Sequence, residues 1–207
     1  MQNNYIAITG KIETDPTFSH EVYGEGFYNF HVAVDRLSEA YDVLPVTISE
    51  RLIDLSSLEI GEDITINGQI RSYNSFDSEE GRNKLILTVF TKNIVLDESQ
   101  QEDFENPNEV ILNGYICKPP IFRTTPFGRE IADILLAVNR SYNKSDYIPC
   151  IAWGRNAKFV SNLQVGENIK IHGRMQSRGY QKKLENGEVL EKVAYEVSIN
   201  KIEELLD

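Results

Sequence analysis

Apolar and polar residues alternate along much of the chain, and this period-2 pattern predicts short β-strands. In the second half the alternation is clearest over residues 110–116, 131–139, 147–153, 169–175 and 193–202. Residues 156–163 differ, because their apolar positions are spaced as on one face of a helix. The pattern therefore predicts five strands with one short helix between the third and the fourth.

The same pattern occurs twice in the chain, at a spacing of 104 or 105 residues. The matching pairs are NNYIAITGKI (3–12) with PNEVILNGYI (107–116), DVLPVTISER (42–51) with DYIPCIAWGR (146–155), and LEIGEDITINGQI (58–70) with LQVGENIKIHGRM (163–175). Similarity at one long period indicates a repeated structural unit. We therefore predict two copies of one fold.

Five strands with a helix after the third is the element order of an OB-fold barrel. We predict an all-β chain of two tandem OB-fold five-stranded barrels, each with a short helix between strands 3 and 4. The expected boundaries are 1–97 for the first domain, 98–107 for an acidic linker and 108–207 for the second domain.

Segments throughout the second half resemble the bacterial single-stranded DNA-binding protein family. They are NEVILNGYI, LLAVNR, YIPCIAWGR, NAKFVSNLQVGENIKIHGRMQSRGY and YEVSINKIEEL, and the first half resembles the family more weakly. The resemblance implies that four OB barrels assemble and that single-stranded DNA wraps around them. With two barrels per chain it implies a homodimer, a role in DNA replication, repair or recombination, and replication or repair proteins as further partners.

The resemblance also implies that aromatic side chains on the binding face stack with bases, and by position these are Tyr147, Trp153 and Tyr180. Stacking is independent of sequence, because every base has a π-face. Tyr147 and Trp153 share one face of their strand by parity. The opposite face carries Ile148, Cys150 and Ala152, whose small apolar side chains suit a barrel interior. The alternatives are that Trp153 belongs to the core and that the two tyrosines pack at an edge or at an oligomer interface.

A binder of single-stranded DNA also needs cations for the phosphates. Tyr142, in the loop between the second and third strands, is a further aromatic candidate. The predicted nucleic-acid-binding cations are Arg123, Arg140, Arg155, Arg174, Arg178, Lys182 and Lys183. For any one of these cations, the alternative is an ordinary solvated surface charge.

The first repeat keeps the interior pattern but not the outer aromatics. Where the second repeat has Tyr147 and Trp153, the first has Val43 and Ser49. The net charge of −11 is also divided unequally, because residues 1–98 carry −10 and residues 109–207 carry +2. We therefore expect the first domain mainly to support the second. The alternative is weak binding through Tyr41, Tyr73 and Phe76, aromatic residues of its own loops and hairpin.

The remaining chemistry favours a binding protein over an enzyme. The three histidines are scattered, and no nucleophile is paired with a base at readable spacing, so we expect no catalytic residues, no cofactor and no metal site. The two cysteines lie in apolar strand contexts and are predicted to be buried thiols. No apolar run is long enough to span a membrane, and we expect a cytoplasmic protein.

A second function remains open, that of an OB-fold protein–protein interaction module, similar to a primosome component, with weak or no DNA binding. The acidic first half favours it. The aromatic and basic second half favours DNA binding.

Overall fold

The computed structural model describes residues 3–77, 81–96, 106–183 and 187–204. Most of the predicted linker, 98–107, lies outside these residues. The first repeat contains β1 (Asn4–Ile12), β2 (Thr17–Val22), β3 (Glu25–Asp35), β4 (Tyr41–Ser49), a 3-10 turn (Leu55–Ser57), β5 (Asp63–Asp77) and β6 (Arg82–Val95). The second contains β7 (Asn108–Ile116), β8 (Ile121–Thr124), β9 (Glu130–Arg140), β10 (Lys144–Trp153), α1 (Arg155–Val160), β11 (Asn168–Lys183) and β12 (Val189–Glu204).

The predicted all-β tandem OB fold is confirmed, with two differences of detail. Each repeat has an extra short strand, β2 or β8, which pairs only with the strand that follows it. In addition, the predicted helix of the first repeat is a three-residue 3-10 turn, started by the Asp54 side chain, which accepts from the Ser56 amide. The predicted helix of the second repeat is α1.

Alternate side chains of the strands fill the barrel interiors. Leu44, Val46 and Ile48 are buried on β4, and Ile148 and Cys150 occupy the matching positions on β10. Burying one such aliphatic side chain contributes roughly 1.5–3 kcal/mol to stability. The apolar alternation seen in the sequence therefore forms the core, and the intervening residues face outwards.

Each barrel is closed by two additional strand pairings. In the first repeat β4 runs parallel to β6, and β1 bends to pair with both β3 and β5. The second repeat closes in the same way through β10 with β12 and β7 with β9. A Cβ at Gly10 or Gly114 would clash with the carbonyl oxygen of Ala33 or Ala137, which explains why both repeats have glycine there.

The two barrels are joined through their first strands. β1 pairs antiparallel with β7, with Ile6 opposite Val110, so that the twelve strands of the described chain form one continuous sheet. A strand pair of this kind fixes the register of the two domains through backbone hydrogen bonds.

A buried carboxylate from each domain reinforces this junction. Asp42 accepts hydrogen bonds from Arg36 of its own domain, and from Arg174 (3.0 Å) and the Ser177 amide (2.7 Å) of the second domain. Burial favours a raised pKa for Asp42. The hydrogen bonds from Arg36 and Ser177, together with the charges of Arg36 and Arg174, outweigh it and hold the pKa below its ordinary value.

Asp146 makes the reciprocal contacts. It accepts from Arg140 of its own domain (3.2 Å), and from Arg71 (3.1 Å) and the Ser72 amide (2.8 Å) of the first domain. Both carboxylates are 1% exposed. The two domains therefore exchange equivalent ion pairs across a pseudo-twofold axis.

Candidate nucleic-acid interface

The outer face of β10 carries the two aromatics singled out in the sequence. Tyr147 is 45% exposed and Trp153 is 37% exposed, whereas Ile148, Cys150 and Ala152 are buried on the other face. The Trp153 Nε1 donates to the Ser198 Oγ at 3.1 Å, which orients the indole and leaves part of it open to solvent. The structure thus places Trp153 at the surface, and the alternative of a core tryptophan is wrong.

A groove of about 530 Å³ lies beside Trp153 on the second domain, and we call it the second groove. Its walls are formed by the outer faces of β10, β11 and β12 and by the β8–β9 hairpin. Ile151 and Trp153 supply apolar surface. The arginines that line the groove are Arg36, Arg123, Arg129, Arg174 and Arg178. Arg36 comes from the first domain, so the second groove is built by both domains.

Most of these arginines already have carboxylate partners. Arg123 pairs with Asp133, and Arg178 pairs with Glu196. Arg36 and Arg174 share the single carboxylate of Asp42. Arg129 makes no ion pair with any residue that the structure describes. The groove therefore keeps an excess of positive charge, although less than its five arginines suggest.

The other predicted residues of the second domain lie beside or beyond this groove. Arg155 begins α1 and lines a separate opening of about 560 Å³ on the other side of Trp153, with Phe159 and Asn200. Tyr180 is 37% exposed and lies further along β11 than Arg178. Lys182 and Lys183 follow it towards the end of the same strand.

Two predicted residues line a different groove. Arg140 ends β9 and Tyr142 lies in the tight turn that follows, and both line a groove of about 1070 Å³ over the first domain. Tyr142 is 94% exposed and has a positive φ of 62°. We call the groove that Arg140 and Tyr142 line the first groove. Arg140 is paired with the buried Asp146, whereas Lys144 makes no ion pair within the described residues.

The first groove contains an aromatic cluster that was not predicted from the sequence. The rings of His20 and Phe27 stack with centroids 4.9 Å apart, and Phe27 lies 5.8 Å from Phe90. The Arg71 guanidinium lies over the Phe90 ring at 5.7 Å. One signal in the sequence could have indicated this cluster. On β3 the buried Phe30 and Val32 occupy even positions, so Phe27, at an odd position, must face outwards.

Of the three aromatics proposed for weak binding by the first domain, Tyr73 lines the first groove. Tyr41 and Phe76 are exposed at 57% and 67%, at the start of β4 and near the end of β5. The first domain therefore has an aromatic outer face, although its aromatics differ in kind and position from those of the second domain.

The two thiols differ in burial, and the potential metal ligands of the described residues do not cluster. Cys150 is buried as predicted, and burial raises the pKa of its thiol, whereas Cys117 is only partly buried. Within the described ranges no three potential metal-ligating side chains lie together. No helix of that part of the chain is long and apolar enough to cross a membrane.

These features define an all-β protein of two OB folds, with a groove lined by arginines and a tryptophan on the second. Residues 107–205 match the model of the single-strand binding protein family. The chain is thus similar to bacterial single-stranded DNA-binding proteins, and its second half is the closer match.

Individual relatives agree with the family match. The chain is 40% identical to single-stranded DNA-binding protein 1 of Staphylococcus aureus (strain COL) over 81 residues, which is 36% of this chain and 48% of that protein. It is 38% identical to single-stranded DNA-binding protein A of Bacillus subtilis (strain 168) over 81 residues, 36% of this chain and 47% of that protein. The chain thus matches about half the length of these curated relatives.

A solved structure matches the whole fold. The crystal structure of the single-stranded DNA-binding protein from Thermus aquaticus superposes with a TM-score of 0.74, covering 99% of this chain and 93% of that one. The sequence identity is 19%, so the likeness concerns the arrangement of both OB folds.

Proposed function

We propose that the chain binds single-stranded DNA without sequence preference, mainly through the second groove, and acts in DNA replication, repair or recombination. The observation that carries the proposal is the exposure of Trp153 beside a groove lined by five arginines. Tyr147 is exposed on the same strand face, where its amide donates to the Ser72 Oγ of the first domain. Relatives that match the second half bear the name single-stranded DNA-binding protein.

The chemistry of the site fits this ligand. Stacking a base on an aromatic side chain contributes about 1–3 kcal/mol and does not depend on the identity of the base. The arginines offer planar, permanently charged donors to the phosphates between stacked bases. Tyr147 and Trp153 bind bases, while Arg129, Arg174 and Arg178 contact the backbone.

The first domain supports this site through its junction with the second. Asp42 holds Arg174 and Arg36 at the groove. Because the carboxylate is buried, it keeps both guanidinium groups in place without itself facing the DNA. A homodimer would bring four OB folds together, as the family resemblance implies, and replication or repair proteins would be its further partners. If sedimentation shows that the protein is a single chain in solution, the proposed homodimer is wrong.

Trp153 supplies the test, because it is the only tryptophan of the chain. Oligo-dT added to the full chain is expected to quench its fluorescence, with an affinity that falls as salt rises. For single strands the logarithm of the binding constant falls with the logarithm of salt by about 0.7 per phosphate neutralised. Tyr147→Ala is expected to weaken binding by at least about fivefold, which is the low end of the stacking contribution.

The competing functions give different results. A protein–protein module with no DNA-binding role would show no quenching and no shift of labelled oligo-dT even at low salt. A nuclease would shorten the oligonucleotide in the presence of a divalent metal and stop when a chelator is added. Binding with an unchanged Trp153 spectrum would place the DNA elsewhere than in the second groove.

A further inference from the structure

The two repeats carry an exposed aromatic at the same place, the tip of the hairpin formed by the short extra strand. Tyr23-Gly24 joins β2 to β3, and Phe127-Gly128 lies 104 residues later between β8 and β9. Tyr23 is fully exposed and Phe127 is 92% exposed. Neither ring contributes to a core, so packing does not explain an aromatic at either tip.

The turn around Phe127 is well defined. The Thr125 amide donates to the Arg129 carbonyl and the Gly128 amide donates to the Thr125 carbonyl, each at 2.8 Å. Gly128 has a φ of 76°, which a glycine adopts without strain, and Pro126 restricts the backbone before the ring. The turn therefore holds the Phe127 backbone in one conformation, which lowers the entropy lost when the ring binds a ligand.

This turn belongs to the rim of the second groove. Thr125 and Arg129, on either side of Phe127, line that groove together with Trp153. Arg129 has no ion-pair partner in the described part of the chain, so its charge is available next to the exposed ring. An unpacked aromatic and an available cation side by side are the two elements of a single-stranded nucleic acid contact.

The charges around the two tips are opposite. Tyr23 lies between Glu21 and Glu25, and Phe127 lies between Arg123 and Arg129. Glu25 is paired with Arg51 and Arg123 with Asp133, so the difference in charge comes mainly from Glu21 at the first tip and Arg129 at the second. A phosphate backbone is repelled by the first tip and attracted by the second. The two hairpin tips are therefore similar in the exposure of their aromatic rings and differ in the charge around those rings.

We infer that Phe127 is a base-stacking residue that extends the single-stranded DNA path from the second groove over the β8–β9 hairpin. The inference rests on the proposed function and adds a contact outside the β10 face. A base stacked on Phe127 places its phosphate near Arg129. Tyr23 has no such role, because its hairpin is acidic.

The test compares Phe127→Ala with Tyr23→Ala in the full chain, using labelled oligo-dT from about 4 to about 16 nucleotides, the range of site sizes for one OB fold. Phe127→Ala is expected to lower the affinity for long oligonucleotides by at least about fivefold. Oligonucleotides too short to reach the hairpin should bind as tightly as they bind the unchanged chain. Tyr23→Ala should bind every length normally.

Two further variants separate stacking from apolar contact. Phe127→Trp should retain long-oligonucleotide affinity, and Phe127→Leu should lose it, because leucine is apolar but has no flat ring. Equal affinity of Phe127→Ala and the unchanged chain at all lengths would overturn the inference. So would a change of sedimentation in Phe127→Ala with normal affinity, which would make the ring a contact between copies of the chain. If the unchanged chain binds no oligo-dT, the proposed function itself fails.

Discussion

The two grooves have the same backbone frame and different side chains. At equivalent places the first domain has Ser49 and Thr88, whereas the second has Trp153 and Glu196. The second groove is lined by five arginines, and the first by the packed rings of Phe27 and Phe90 with His20, and by three cations, Arg71, Arg140 and Lys144. The outer face of a barrel can therefore change widely while its interior is kept, because consecutive strand residues point alternately inwards and outwards.

The junction between the domains shows the opposite behaviour. Asp42 and Asp146 make matching contacts, although the arginine that reaches across comes from different positions of β5 and β11. In β5 the order is Gln69 then Arg71, and in β11 it is Arg174 then Gln176. Each guanidinium contacts both its neighbouring glutamine and the aspartate of the other domain. Both domains therefore form an ion pair across the junction, although the side chains on their outer faces differ.

The largest expected effect concerns this shared junction. Asp146→Ala leaves Arg71 and Arg140 without their carboxylate, and breaking a buried ion pair costs about 3–5 kcal/mol. Both arginines keep some contact with solvent, so we expect a loss of about 3 kcal/mol in the free energy of unfolding, at the low end of that range. Urea denaturation measures it, and Asp42→Ala should give a similar loss.

The matched control is Asp133→Ala, which breaks the exposed pair with Arg123. An exposed pair contributes about 0–1 kcal/mol, so this variant should be close to normal. If Asp42→Ala and Asp146→Ala differ by more than about 2 kcal/mol, the pseudo-twofold equivalence of the two contacts is wrong.

The second prediction gives the second domain the first domain's residue. Trp153→Ser copies Ser49 and removes the indole, so oligo-dT affinity should fall by about 5- to 150-fold, the equivalent of 1–3 kcal/mol of stacking. Because the variant has no tryptophan, the affinity is measured by anisotropy of a labelled oligonucleotide. Tyr73→Ala in the first groove should change the affinity by less than about twofold. Equal losses in the two variants would show that both grooves hold DNA.

The sequence predicted the barrels well because their signal is local alternation. Ile148, Cys150 and Ala152 face inwards and Trp153 outwards as the pattern indicates. The strands β2 and β8 gave no such signal, since every residue in them is exposed. The pairing of Arg174 with Asp42 was equally hidden, because 132 residues separate the partners. Likewise, Arg140 and Tyr142 lie in the second repeat but line the groove of the first, a placement that only the relative position of the domains decides.

A smaller effect is expected at Glu196, the carboxylate that lines the second groove. Glu196 accepts from Gln176 and pairs with Arg178, and the first domain has Thr88 at its position. Glu196→Thr removes a negative charge and releases Arg178, so we expect oligo-dT affinity to rise about threefold. The salt dependence should become steeper by about 0.7, the contribution of one more phosphate contact.

Titration of oligo-dT at several salt concentrations measures both quantities. Glu203→Gln serves as the control, because it removes a charge from β12 outside the groove and should leave affinity nearly unchanged. A lower affinity in Glu196→Thr would mean that Glu196 positions Arg178 for DNA, rather than competing with it.

The smallest effect concerns an ion cluster of the second repeat whose charged residues are replaced by uncharged ones in the first. Glu203 accepts from Lys201 at 2.5 Å and from Lys170 at 2.9 Å, and these contacts lower its pKa to about 2. The equivalent residues of the first repeat are Val95, Asn93 and Thr65.

A carboxylate with a lowered folded-state pKa stabilises the fold above its ordinary pKa and loses this contribution as pH falls towards the folded value. The difference in urea midpoint between the unchanged chain and Glu203→Gln should therefore be small at about pH 6 and shrink further between about pH 5 and pH 3. Salt should also reduce it, since surface charges are screened. A difference that is independent of both pH and salt would mean that Glu203 acts through packing rather than through charge.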